Sequence, residues 1–185
     1  MAHTIDNFIS NFRGGYRLNH FIVSMTPAAA AGAVGVGALT YHARATSLPA
    51  STVTVLNVPY RGRVFKAPGV RTYNTWQLTV LNDKSGENSD LYQVFHKWSN
   101  ALNDHDANTT TGTNADSEAN NLLGSFTVEM LDYNGVSVPN RKWTLKYAWP
   151  ANVGQVALDM ENNDNPISTF IVDIEFSLME YGVSI

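Results

Sequence analysis

Residues 43–83, ARATSLPASTVTVLNVPYRGRVFKAPGVRTYNTWQLTVLND, interleave apolar alternation, turn residues and arginines without a break. Val53 and Val55 sit at period two, and Thr75 to Val80 alternates polar and apolar side chains as a half-buried strand does. Pro59 cannot donate to a strand ladder. Pro68-Gly69 suits the centre of a type II turn, where proline fixes φ and glycine accepts a positive φ. Arg44, Arg61, Arg63, Lys66 and Arg71 meet a single acid, Asp83 at the far end. Such a segment suits an anionic partner, and equally a solvated basic strand pair on an ordinary sandwich.

At 185 residues the chain is long enough for one well-buried core, and nothing in it marks a second domain, so residues 1–185 are expected to form a single unit. Charged residues make up 15%, which leaves a surface prone to association. The absence of cysteine excludes disulfides, thiol catalysis and cysteine-ligated metal. The net charge of −4 conceals a split: residues 1–82 hold seven Lys/Arg against Asp6 alone, and residues 83–185 hold five against fifteen acids. If the halves occupy different surfaces, copies attract head to tail and close into rings or run on as filaments; if they intermix, the field averages out.

The first twenty residues show no export or transit pattern, so the protein is expected to remain where it is made. Phe8, Phe12 and Tyr16 lie four apart on a short helical face that Gly14-Gly15 would end, and Arg17 to Met25 reads as the first strand. Residues 26–41, rich in Ala and Gly, match neither a phosphate loop nor a membrane span and are expected to be a flexible loop or packed hairpin. Leu91, Val94, Phe95, Trp98 and Leu102 form one helical stripe, predicting a helix over about 89–103 with Ser89 as its cap. Residues 104–121 read as a mobile polar loop. Asp104, Asp106 and Asn108 imitate the start of a calcium loop, but Thr109 and Ala115 stand where Gly and Glu are needed. Strands follow at Phe126–Met130 and Lys142–Tyr147, with a tight turn at Asn134-Gly135. In the last strand Phe170, Val172, Ile174, Phe176 and Leu178 point one way, and Ile171, Asp173, Glu175, Ser177 and Met179 the other. The fold class is mainly β, an antiparallel sandwich or barrel-like subunit with one flanking helix.

Chemistry leaves few marks. The five histidines include no i, i+4 pair, no Gly-x-Ser-x-Gly is present, and Asp159, Glu161 and Asp164 sit in an Asn-rich stretch that reads as a solvated turn. No catalytic, cofactor or metal residue is assigned. The four tryptophans read as core, against the alternative of a monomeric sandwich using them as a ligand platform, and a pI near 5.6 argues against a nucleic-acid binder.

The order SLPAS (47–51), VPYRGRVFKAPG (58–69) and RTYNTWQLTVLND (71–83) resembles the tail tube protein family of contractile-tailed bacteriophages. The likeness continues in Arg17 with Phe21 and Val23, in Trp98-x-Asn100-Ala101-Leu102-Asn103, and in Trp149-Pro150 with Leu158-Asp159; it departs at Val70 and Asn74, where acids are usual. The resemblance implies a structural virion protein that forms stacked hexameric rings, the hollow conduit for DNA ejection, assembled in the host cytoplasm. Its implied partners are further copies, the sheath, baseplate and tail terminator proteins, and DNA that passes without specific binding or membrane insertion. The related tubes of bacterial contractile injection or secretion systems stay open as an alternative. On this reading Arg44, Leu48, Pro49, Tyr60, Arg61, Arg63, Lys66 and Arg71 contact neighbouring subunits. DNA carries about one negative charge per 1.7 Å of axis, so an acidic bore lets it slide, and Asp173, Glu175 and Ser177 are the candidates to line it.

Overall fold

The computed structural model describes residues 5–12, 15–29, 39–83, 90–107, 109–110, 122–160 and 167–182. Eight strands, β1 (Phe21–Thr26), β2 (Ala43–Thr46), β3 (Ser51–Tyr60), β4 (Arg63–Tyr73), β5 (Trp76–Leu81), β6 (Gly124–Leu131), β7 (Ser137–Val153) and β8 (Thr169–Tyr181), are joined by helices α1 (Ile5–Asn11), α2 (Leu39–His42) and α3 (Leu91–Leu102). Six strands form one antiparallel sheet in the order β1-β6-β7-β8-β5-β2, and β3-β4 stands apart as a two-stranded hairpin. The short α2 packs against the edge strand β1 and against β5, which lies next to the other edge of a nearly closed, barrel-like sheet.

The helix is where the periodicity puts it. Leu91, Val94, Phe95 and Trp98 are buried, and Asp90 caps the helix by accepting from the Tyr92 and Gln93 amides at 3.0 and 3.4 Å. The cap is therefore Asp90; Ser89 lies outside the described residues. Trp98 is fully buried, stacks on Phe126 with centroids 6.0 Å apart, and donates its indole N–H to the Leu122 carbonyl at 2.7 Å. Gly124 opens β6 beneath that ring, and a Cβ there would lie 2.6 Å from the indole and 2.5 Å from the Thr26 carbonyl oxygen. Trp76, also buried, meets Phe126 edge-on and donates to the Ser47 carbonyl. Trp143 is buried as well, whereas Trp149 is only half-buried, so three of the four tryptophans are core.

The last strand keeps its expected phase from Phe170 to Phe176 and then loses it. Leu178 is exposed, while Met179 packs against the core. The cause lies on the neighbouring strand, where Tyr147 adopts φ +54°, a left-handed conformation uncommon for a bulky side chain. That residue breaks the alternation of β7, so Leu145 and Ala148 are both buried, opposite Met179 and Phe176 respectively. Both strands change phase together.

Two further expectations need correction. Pro68-Gly69 makes no turn but lies within β4; the turn is Arg61-Gly62, with φ +46° and +78°, the positive pair that a type I′ hairpin needs between Tyr60 and Arg63. Gly69 serves a close approach instead, since a Cβ there would fall 2.5 Å from Thr54 Oγ1, which bonds both the amide and the carbonyl of Val70 across the bulge after Val53. The first strand begins at Phe21, because residues 17–20 turn back with the His20 amide on the Arg17 carbonyl. The ends of the 26–41 segment are fixed, with Ala28 and Leu39 buried, and residues 30–38 lie outside the described residues, as do 108 and 111–121 of the polar loop. The turn at Asn134-Gly135 is present, with Gly135 at φ +76° and its amide on the Asp132 carbonyl.

Gly124→Ala should overpack the seat of Trp98 and destabilise the subunit by about 1–3 kcal/mol, read as a lower midpoint in denaturant unfolding. An unchanged midpoint would mean that the helix can shift away from the sheet at little cost.

Candidate functional site

The β3–β4 hairpin is a ribbon of ten and eleven residues that leaves the sheet at Tyr73, whose ring tilts against Phe176 at 5.1 Å. Antiparallel pairing puts partners on the same face. Leu56 opposes Ala67, Val58 opposes Phe65 and Tyr60 opposes Arg63, so one face of the outer half is apolar up to its tip. The other carries Val55 with Pro68, Asn57 with Lys66 and Pro59 with Val64. Leu56, Val58, Tyr60, Val64 and Phe65 are all exposed. Residues 51–73 contain no carboxylate, and Arg61 lies over the Tyr60 ring at 5.4 Å. A contiguous apolar surface rimmed by cations is the signature of an interaction site.

The expected contact residues divide. Tyr60, Arg61, Arg63, Lys66 and Arg71 are exposed on the hairpin, Arg71 reaching Ser51 Oγ at 3.3 Å. Arg44 is exposed on the edge strand β2 and Leu48 in the segment after it. Pro49 is buried in its own subunit, as no free contact residue would be.

The outer face of the six-stranded sheet is the second polar surface. Lys142 pairs with Glu129 at 2.8 Å and Lys146 with Glu180 at 2.6 Å, so these lysines are neutralised in place. Asp173 accepts from the Asn152 amide at 3.0 Å and Glu175 from the Thr75 hydroxyl, both neutral donors. Asp173 Oδ1 is buried without a partner in the subunit. The surface therefore keeps uncompensated negative charge around Asp173 and Glu175, both half-buried, beside an exposed Ser177. The Lys142 ammonium, with help from the Ser137 hydroxyl, holds the Glu129 carboxyl below the usual glutamate range despite partial burial.

A cleft of about 730 Å³ lies between residues 15–20 and the Asp132–Val138 turn. Its Arg17 rests over the Tyr133 ring at 4.7 Å, and Arg141 lies over the Tyr16 ring at 5.0 Å. Among the described residues no three His, Cys, Asp or Glu side chains gather as a metal site would require, and no helix is long and apolar enough to cross a membrane.

Residues 16–184 match the phage tail tube protein family. The chain belongs to that family. It is 28% identical to the tail tube protein gp19 of Enterobacteria phage T4 over 141 residues, 76% of this chain and 80% of the relative. It is likewise 28% identical to the tail tube protein of Serratia phage KSP90, over 71% of this chain and 68% of the relative. In fold it is similar to a chain of the six-fold symmetrised anti-feeding prophage baseplate, with TM-score 0.62 and 12% identity over 92% of this chain and 97% of that one. A chain of the anti-feeding prophage tube-terminating cap gives 0.62 at 15% identity over the full length of both. The protein is thus a structural tail tube component of a contractile system, not an enzyme.

Leu56, Val58 and Phe65 are not among the contact residues expected from the sequence, of which Tyr60 and Arg63 share their face. Their signal was the turn. Placing it at Arg61-Gly62 pairs Val58 with Phe65 at once.

Because the folded-state pKa of Glu129 is depressed, its contribution to stability is present above the ordinary glutamate pKa and is lost as pH falls through the folded value. Lys142→Met should therefore lower the melting temperature at pH 7, with the difference from the parent chain shrinking as pH falls below the ordinary glutamate range. A difference independent of pH would assign the loss to the lysine's packing instead.

Proposed function

We propose that this chain builds the inner tube of a contractile phage tail as stacked hexameric rings through which DNA passes during ejection. The observation that carries the reading is the projecting hairpin, which exposes an apolar face that a lone subunit leaves in water. Membership of the tail tube family supports it, and the charge split supports heterologous contacts between copies. The basic hairpin, with Arg44 and Leu48 nearby, meets the acidic surface of adjacent subunits. The sheath, baseplate and terminator proteins are the partners, and assembly takes place in the host cytoplasm before the tube becomes part of the virion. The outer face of the sheet around Asp173, Glu175 and Ser177 lines the bore, where uncompensated carboxylates repel the DNA backbone and keep it moving.

Phe65→Ser and the pair Arg61→Glu with Arg63→Glu should abolish tubes in negative-stain micrographs. Because these side chains face solvent in the subunit, their effect on stability should stay within about 0.5 kcal/mol. Tubes of normal length from either variant would remove the hairpin from the interface, and loss of the fold would show that it belongs to the subunit's own structure.

Glu175→Lys with Ser177→Lys should leave tube morphology unchanged while slowing DNA release from complete particles. Release at the parent rate would place this face away from the bore.

A further inference from the structure

We infer that α1 of one copy docks on the apolar face of the β3–β4 hairpin of another, an inference that rests on the tube reading and names a contact within it. Ile5, Phe8, Ile9 and Phe12 follow the i, i+3, i+4, i+7 pattern of a helix with one buried side, yet they are 57–72% exposed. Every residue of α1 is exposed in the subunit. Asp6, Asn7, Ser10 and Asn11 make up the rest of the helix, and the Ser10 and Asn11 side chains both donate to the Asn7 carbonyl. Phe8 and Phe12 stack at 5.3 Å and form one flat aromatic surface. A seven-residue helix is too short to be stable by itself in water, so its order calls for a partner.

The hairpin offers the matching surface. Its face of Leu56, Val58, Tyr60 and Phe65 is 44–66% exposed. The apolar stripe from Ile5 to Phe12 extends about 10 Å along the helix, and Leu56 to Tyr60 about 13 Å along the strand. Charge agrees as well: Asp6 is the ionisable side chain of α1, and the hairpin bears four cations and no acid. Both faces remain open within one subunit, so the contact joins two copies. The family match begins at residue 16, so α1 lies outside the matched residues.

The chain has no cysteine, which makes the test direct. An affinity-tagged copy carrying Phe8→Cys and an untagged copy carrying Ala67→Cys, on the same hairpin face opposite Leu56, are co-assembled and oxidised, then run on a non-reducing gel. The expected result is a mixed dimer in the tube fraction, with only background when Asn7→Cys, outside the apolar stripe, replaces Phe8→Cys. Tubes that form without the mixed dimer, or that cross-link equally from Asn7→Cys, overturn the docking and leave the tube reading intact. A parent chain that makes no tubes at all overturns both.

Discussion

Trp98 sits where helix and sheet meet, and the subunit's core depends on how that ring is seated. Its indole lies flat on Phe126, its N–H is satisfied by a backbone carbonyl, and the strand below it begins with a glycine because no side chain would fit. Phe126 in turn holds Trp76, whose own N–H reaches back to Ser47 at the entrance to the hairpin. One continuous aromatic contact therefore links α3, β6, β5 and the root of the projecting ribbon. Both indole N–H groups have a carbonyl partner, so the large rings are buried without the penalty of an orphaned N–H.

The elements legible in the sequence are those whose signal is periodic. The stripe of α3 and the first half of β8 follow from 3.6- and 2-residue spacing, and both are present because one face of each is buried. The signal fails at Leu178, since the phase change is imposed from the adjacent strand by the backbone of Tyr147, a residue about thirty positions away. It fails again at Pro68-Gly69, where composition suggests a turn but the glycine makes room for Thr54. The actual turn uses Arg61 at positive φ, which residue type alone disfavours.

The surfaces are less legible in the sequence than the core. Charge made Arg61, Arg63 and Lys66 conspicuous, yet half of what the hairpin presents is apolar, and that half emerges only once cross-strand pairing is known. Pro49 looked like its neighbours in a loop and is buried, because burial depends on what packs over a residue and not on its local sequence. Ile5 and Ile9 complete a stripe with Phe8 and Phe12 that the four-residue spacing of the aromatic residues alone did not reveal.

A two-stranded ribbon has an unusual mechanical character. Its strands are almost fully extended, so the chain has little slack along its axis and resists pulling with backbone geometry and a ladder of hydrogen bonds. It has no second layer to stiffen it, and narrow ribbons twist more freely than wide sheets. A junction made through such an arm is stiff in tension and compliant in torsion. A tube built with these junctions can be driven forward without lengthening, and can take up rotation between successive rings without breaking its contacts.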